Sequence, residues 1–383
     1  MKKVLLGTTA LVTAGLVSAG AAAEGEGLTL SVNGYYQAVV STVWTNADDY
    51  FFGPGEPDTV QVRHEGELSF NGAYVMDNGM TAGVEINLEA TNGAGSGMDF
   101  DIDEAYAFLE GSFGRIQIGE EAGAAYLMHY TSPYFVGAFG VDSPNFSSRT
   151  TGVIGVYPRT ATYITLSGDT NKVTYFTPRV MGIQLGVSYT PQSIPGDVGG
   201  QNSAGASQAF GNTTKNSDVF DNIIDVGLNY SGMVTETVEL GISAGLSTAD
   251  GNGVDDPLAI SGGINVGFGG FLLGGGVYWS DDVVAEGVEE LAYTAALQYA
   301  TGPWTFGAGF LRSKIEEDLP FFVNFPFSIA DGNKYTVVEA GVQYALGNGV
   351  SVFGVFDHYR DHREITDFTI KTNAVSAGID LAF

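Results

Sequence analysis

The 383-residue chain carries 44 acidic residues against 15 Lys and Arg, a formal net charge of −29, and it has no cysteine. The acidic excess excludes binding of nucleic acid through clustered basic residues, and the absence of cysteine excludes the small disulfide-stapled secreted domains. Only 15% of the residues are charged and 55 are glycine, whereas soluble domains average about 25% charged residues and about 7% glycine.

Residues 1–23 predict a secretory signal peptide. Lys2 and Lys3 precede a short apolar run, and three alanines ending at Ala23 form a small-residue cleavage site, as export signals require. A membrane anchor is the alternative, but the apolar run is short for a spanning helix. We therefore expect a mature chain of residues 24–383, forming one domain.

Alternation of polar and apolar residues with period two dominates the mature chain. A soluble sandwich also alternates, but here the pattern recurs along nearly the whole sequence, and the polar face suits a water-filled lumen. No run of 18 apolar residues occurs after the signal, so the chain has to cross a membrane, if it does, as a closed β-barrel. The predicted strands are 28–43, 60–74, 80–91, 102–109, 115–119, 172–177, 183–189, 224–230, 238–246, 258–268, 271–279, 291–299, 304–310, 338–346, 350–356 and 375–383.

The connections alternate between short and long, and the long ones are mostly acidic. Tight periplasmic turns and long outer loops are typical of outer-membrane barrels. The fold class predicted is therefore all-β, a sixteen-stranded antiparallel transmembrane β-barrel. The short connections are 77–79, 113–114, 178–181, 231–235, 269–270, 301–303 and 347–349, and the long ones are 46–58, 92–99, 120–169, 191–221, 249–257, 281–290, 315–332 and 360–367.

The connection 120–169 is too long and too aromatic for an ordinary loop. Loops beyond about 15 residues tend to be functional or disordered. Eight Tyr and Phe residues lie between Tyr126 and Tyr163, which argues against a solvated, disordered segment. We expect an ordered insert packed against the structure that surrounds it.

The chain resembles the general bacterial porins, most closely the alphaproteobacterial type. The resemblance covers the mature chain and includes the strand parity, the oversized third outer loop after Gly114-Arg115-Ile116-Gln117-Ile118-Gly119, and a last strand that ends Gly378-Ile379-Asp380-Leu381-Ala382-Phe383. It implies a homotrimer in the cell outer membrane, with the third loop folded into each lumen as a constriction and with Phe383 as the assembly signal. In that family acidic residues on the loop face basic residues on the wall.

The sequence departs from that family pattern in its charges. The alternation places Glu65, Glu67, Glu85 and Glu89 on the inward wall beside a single arginine, Arg63. Acidic rings favour cations in pores, so the sequence predicts a moderately cation-selective pore. The candidate constriction and lumen residues are Arg63, Glu65, Glu67, Glu85, Arg115, Glu120, Glu121, Asp142, Arg149 and Arg159.

The expected function is passive diffusion of ions and small hydrophilic solutes. A substrate-specific channel is the alternative, followed by a barrel-borne enzyme, for which no nucleophile and base can be placed together in the sequence. His358 and His362 are interpreted as loop residues, and the glycines at 262–263 and 274–276 as barrel geometry or a trimer contact.

No cofactor is expected, and loosely bound calcium at the acidic loops, for example at Asp99, Asp101 and Asp103, is left open. Besides a second and third copy of the chain, the expected partners are lipopolysaccharide, outer-membrane lipid and the outer-membrane assembly machinery.

Overall fold

The computed structural model describes residues 23–25, 27–46, 60–89, 101–136, 139–143, 161–192, 220–251, 255–284, 286–317, 332–364 and 367–383. Most of the predicted signal peptide, residues 1–22, lies outside this described part of the chain. Within it, no helix is long and apolar enough to cross a membrane.

The described strands form one antiparallel sheet that closes on itself as a barrel. Each strand pairs with its neighbours in sequence, and the last strand pairs with the second to close the ring, which confirms the predicted sixteen-stranded antiparallel barrel. A short additional strand, β1 (Ala23–Gly25), pairs with the start of the second. The barrel strands are β2 (Leu28–Thr45), β3 (Val60–Val75), β4 (Thr81–Glu89), β5 (Asp101–Gly111), β6 (Gly114–Glu120), β7 (Asn171–Phe176), β8 (Ile183–Gln192), β9 (Asp221–Met233), β10 (Val238–Asp250), β11 (Leu258–Phe268), β12 (Phe271–Asp281), β13 (Val288–Thr301), β14 (Trp304–Glu317), β15 (Lys334–Gly347), β16 (Val350–Arg363) and β17 (Phe368–Ala382).

The apolar face of each strand points outward. In β8, Ile183 and Tyr189 are exposed on the outside, while Ser188 and Thr190 between and beyond them are buried on the lumen side. Large apolar side chains exposed in this way around a whole barrel are stable only against lipid, so this surface is the membrane-facing one.

Aromatic side chains border the outward face at the end of the short turns. Trp304 packs edge-on against Tyr344 with ring centroids 4.6 Å apart, and Phe271 stacks on Tyr299 at 4.4 Å. Amphipathic Trp and Tyr rings concentrate at membrane–water interfaces. The short turns themselves contain glycines with positive φ, such as Gly269 at 55° and Gly270 at 88°, which close tight hairpins without a Cβ clash.

The chain end seals the barrel. The Phe383 amide donates to the Gly34 carbonyl oxygen at 3.0 Å, and the Gly34 amide donates back to the Phe383 carbonyl oxygen at 2.9 Å. The final residue is thus part of the closing ladder.

The interpretation of His358 and His362 as loop residues was wrong. Both lie within β16 and face outward; His358 Nδ1 is 2.8 Å from Asn373 Oδ1, and His362 Nδ1 is 2.9 Å from Thr369 Oγ1. The strand continues beyond its apolar residues because backbone pairing to β17 persists to Arg363, where both faces are polar and the alternation gives no signal.

Candidate functional site: the lumen and its insert

The segment between β6 and β7 lies inside the barrel; its described residues, 121–136, 139–143 and 161–170, are called the insert below. It starts with one helical turn, α1 (Ala124–Leu127). The Ala124 amide donates to Ser188 Oγ at 2.8 Å, and the Tyr130 amide donates to Ser243 Oγ at 2.7 Å. Asn229 Nδ2 donates to the Met128 carbonyl oxygen at 3.1 Å. Polar side chains of β8, β9 and β10 therefore hold the first part of the insert.

The insert then crosses to the far side of the lumen. Thr294 Oγ1 on β13 donates to Ser132 Oγ at 3.0 Å. Further along, the Phe139 ring packs against Phe353 of β16 with centroids 5.3 Å apart, and Val136 is buried in the same apolar cluster. The insert thus contacts the wall from β8 round to β16.

Glycines on the inner wall leave room for the insert. A β-carbon at Gly263 would collide with the carbonyl oxygen of Tyr130, and one at Gly307 would collide with the Phe135 ring. Glycine inside a strand commonly marks such close approach of another chain segment. The interpretation of 263, 274 and 276 as barrel geometry or a trimer contact was wrong, because these positions face the insert. The glycine track consists of Gly227, Gly241, Gly263, Gly274, Gly276 and Gly307.

Asp142 joins two arms of the insert. Its carboxylate is fully buried and accepts hydrogen bonds from the Thr162 amide at 2.7 Å, from Thr162 Oγ1 at 2.6 Å and from Thr131 Oγ1. A buried carboxylate needs such donors to offset its lost hydration. Asp142 therefore lies within the insert and ties residues 131 and 162 together.

The wall from β3 to β5 is acidic. Glu67 lies directly opposite Glu89 in the ladder between β3 and β4. Tyr35 Oη donates to Glu65 Oε1 at 2.7 Å, and Tyr106 Oη donates to Glu85 Oε2 at 2.8 Å. The predicted inward glutamates therefore lie together on neighbouring strands. The sequence analysis did not identify Tyr35 and Tyr106 as lumen residues. The one feature that could have revealed them is that each aromatic ring falls on the otherwise polar face of its strand.

A buried lysine anchors the start of the insert. Lys172 Nζ donates to the carbonyl oxygens of Gly168 and Thr170, both at 2.7 Å, and to that of Glu121. Burial, with the carboxylates of Asp169 and Glu85 nearby, raises the pKa of Glu121 to about 8. At neutral pH the Glu121 carboxyl is therefore largely protonated. At the end of β6, Glu120 accepts a hydrogen bond from Asn171 Nδ2 at 3.2 Å.

The predicted basic residues lie in different places. Arg63 is on the lumen face of β3, opposite Val39 of β2. Arg115 lies near a short turn, where it pairs with Glu110 at 3.3 Å and its guanidinium carbon lies 3.8 Å from the centre of the Phe108 ring. Arg149 and Arg159 lie outside the described residues, as does Asp99.

The histidines do not converge on a site. His129 is buried in the insert between Tyr126 and Tyr163, and burial lowers its pKa to about 4. His64 stacks on Tyr36 at the outer surface, 5.8 Å between centroids. Within the described ranges, no three or more His, Cys, Asp or Glu side chains are grouped so that they could hold a metal ion. Calcium binding stays a prediction.

Comparison with known proteins agrees with this architecture. A family model described as Gram-negative porin matches residues 7–363, and no curated protein matches the chain. Similar solved structures include the anion-selective porin from Comamonas acidovorans, 14% identical, with a TM-score of 0.58 over 93% of this chain and 100% of that one.

Two further structures share the fold. OmpT, an outer membrane protein of Vibrio cholerae, is 11% identical with a TM-score of 0.60 over 95% of this chain and all of its own. A variant of the Rh. blastica porin is 15% identical with a TM-score of 0.52 over 92% of this chain and all of its own. With the match of the family model over nearly its whole length, the chain belongs to the Gram-negative porins and crosses the outer membrane as a multi-pass β-barrel.

Proposed function

We propose that the protein forms a water-filled pore for passive diffusion of ions and small hydrophilic solutes, with residues 120–169 as its constriction loop. The observation that carries the proposal is the course of the insert, which crosses the lumen from β8 to β16. A segment on that course narrows the passage, while the polar face of the wall supports a hydrated path beside it.

The pore is moderately cation-selective in this proposal. The glutamates of β3 and β4 lie on one wall. Lys172, which contacts both ends of the insert, donates its hydrogen bonds to three backbone carbonyl oxygens. A unit charge about 4 Å from an ion contributes roughly 1 kcal/mol in bulk water and about four times that at an effective dielectric constant of 20. The Comamonas acidovorans porin of similar fold is described as anion-selective. In this proposal the charges on the wall, and not the fold, therefore decide whether cations or anions are preferred.

A homotrimer is part of the proposal. One of the similar structures is a trimer form of OmpT, 12% identical with a TM-score of 0.56. The proposal also includes the other expected partners, namely the outer-membrane assembly machinery and the small hydrophilic solutes that pass through the pore.

Other functions have less support. A substrate-specific channel would need a solute-binding site, and saturable block of conductance by one solute at low concentration would identify it. An enzyme would need a convergent nucleophile and base, but three of the histidines face outward and the fourth is enclosed among tyrosines.

Reversal potentials across a potassium chloride gradient in planar bilayers test the proposed selectivity. We expect K⁺ to be preferred at low salt, and the preference to weaken at 1 M, where the screening length falls to about 3 Å. Replacing Glu67 and Glu89 by Gln should lower the K⁺/Cl⁻ permeability ratio, whereas Glu316→Gln, an outward-facing control, should leave it unchanged. A preference for Cl⁻ at low salt in the unmodified protein contradicts the proposal.

A further inference from the structure

The outward face of β14–β17 carries a band of basic side chains at the end of the long connections. These four strands are consecutive in the barrel. Their ladder registers arrange the side chains in two rows, and the name basic band is used for both together. One row contains Lys314, Lys334 and His362, and the other contains Arg312, Arg360 and Lys371.

This clustering is unusual in so acidic a chain. The whole sequence holds 15 Lys and Arg against 44 acidic residues. Within the described strands, no other Lys or Arg side chain faces outward; Arg179, in the short turn between β7 and β8, donates to Gln184 Oε1 on the lumen side at 2.7 Å. Lipid-facing positions disfavour charge, so five Lys and Arg residues and one His on four neighbouring strands indicate an anionic partner.

The band retains a net positive charge after its own ion pairs are counted. Lys314 pairs with Glu316, and Lys334 pairs with Glu364 at 2.7 Å. Arg312, Arg360 and Lys371 are exposed, and among the described residues no carboxylate lies within ion-pair distance of any of them. Within the described ranges, these three cationic groups therefore have no ion-pair partner; Arg360 lies directly opposite Lys371, and Arg312 lies in the same row two strands from Arg360.

The depth of the band matches the membrane–water interface. Toward the short-turn end, beyond the polar outward positions Thr336, His358 and Asn373, the face becomes apolar, with Val338, Phe356 and Val375 each more than 40% exposed. Tyr293 lies opposite Arg312 at one edge, and Trp44 flanks the other edge. Aromatic side chains mark the interface in outer-membrane barrels, and long connections mark the outer end.

We propose that the basic band binds the phosphate groups of a phosphorylated lipid in the outer leaflet. Adjacent strands lie about 4.8 Å apart, so Arg360 and Lys371, which are opposite each other, can contact one phosphate together. Arg312 is two strands away, at roughly 10 Å, and can contact a second. The acyl chains then lie on Phe356 and Val375.

The guanidinium fork suits this role because it donates two parallel hydrogen bonds to a phosphate group. The band offers direct contact between cationic side chains and lipid phosphates, without a bridging cation. The inference does not depend on the pore function, because it concerns the outside of the barrel.

Binding of a bisphosphorylated glycolipid to the detergent-solubilised protein tests the proposal, with the dephosphorylated lipid and inorganic phosphate as comparison probes. Each Lys or Arg near an anionic lipid surface contributes about 1 kcal/mol, or roughly five-fold in affinity. Replacing Arg312, Arg360 and Lys371 by Gln should therefore weaken binding about a hundred-fold. Arg360→Lys should lose less than Arg360→Gln.

Arg179→Gln is the matched control, since it removes one positive charge at the opposite end of the barrel, and it should bind the glycolipid as the unmodified protein does. Heat-modifiable migration in gels confirms that each variant is folded; if the triple variant is not, the single variants carry the test. Equal binding of the dephosphorylated lipid, unchanged affinity in the variants, or equal binding of inorganic phosphate would overturn the proposal. So would loss of oligomers in the triple variant without loss of lipid binding, because the band would then contact a second copy of the chain.

Discussion

Glu121 is a buried carboxyl group at the start of the insert, and burial is the largest cause of its raised pKa. Its oxygens accept from Gln117 Nε2 and from the Ala122 amide, but the carboxylates of Asp169 and Glu85 are close, and its pKa rises to about 8. A raised carboxyl pKa stabilises the folded state fully below the ordinary pKa of 4.5. That stabilisation is lost as the pH rises through about 8.

Cation preference should therefore depend on pH. Between pH 7 and pH 9 the buried Glu121 gains a negative charge at the start of the insert, so the K⁺/Cl⁻ permeability ratio should increase over this interval. In Glu121→Gln the step should disappear, whereas Glu316→Gln should retain it. Reversal potentials at each pH measure both, and an identical pH profile in Glu121→Gln and the unmodified protein would refute the assignment.

Asp142 provides the second prediction for a single residue. Asp142→Ala leaves the buried Thr162 amide without its acceptor, and an unsatisfied buried donor costs about 1–3 kcal/mol. We expect limited proteolysis to cleave the insert about ten-fold faster, with the barrel still folded. Asp142→Asn keeps one carbonyl acceptor and should give an intermediate rate. Cleavage of Asp142→Ala at the rate of the unmodified protein would show that the two arms are held elsewhere.

The insert and the glycine track depend on each other at the scale of elements. The track places the backbone of β9, β10, β11, β12 and β14 against the insert without intervening β-carbons. A buried segment packed this tightly tolerates added volume poorly, at a typical cost of about 1–3 kcal/mol. The neighbouring positions 262 and 263 separate this effect from any general effect of replacing glycine in a strand.

Gly263→Ala should displace the insert around Tyr130, because the new methyl group would occupy the position of the Tyr130 carbonyl oxygen. We expect larger single-channel conductance and greater conductance noise. Gly262→Ala is the control: its methyl group faces outward, 3.6 Å from the nearest atom, the Ser243 carbonyl oxygen. Equal conductance in the two variants would mean that the insert does not limit the current.

The sequence predicted the elements better than their contacts. All sixteen strands were predicted from alternation, but β16 was ended at 356 although it continues to Arg363, because polar residues occupy both faces there. The insert was predicted as ordered and internal from its aromatic content. The glycine track was missed, since the partner of Gly263 lies more than 130 residues earlier in the chain, and no local pattern contains that information.

The two chain ends meet at the scale of the whole molecule. The Gly34–Phe383 backbone pair completes the ladder between β17 and β2. The family resemblance in addition predicts that Phe383 is the assembly signal. Phe383 therefore has two expected roles: its backbone hydrogen bonds help to close the barrel, and its side chain is expected to be recognised by the assembly machinery.

Deleting Phe383 should lower the amount of protein in the outer membrane, because the truncated chain lacks two closing hydrogen bonds and the terminal aromatic residue. Phe383→Tyr keeps the backbone pair and an aromatic ring, and it should reach nearly normal levels. Cell fractionation and heat-modifiable migration measure the outcome. Normal outer-membrane levels of the truncated chain would show that neither contribution is needed.

The position of the insert in the chain has a consequence for folding kinetics. Almost every wall residue that it contacts is synthesised after it: Ser243 follows Tyr130 by 113 residues, and Thr294 follows Ser132 by 162. The closing strands are further apart, with Thr45 and Thr372 separated by 327 residues. Before such non-local contacts can form, the chain between them loses a large amount of conformational entropy. Folding is therefore slow. The aromatic residues of the insert therefore stay unprotected until the later strands arrive, and chaperones that shield exposed aromatic segments should act on this chain before the ring closes.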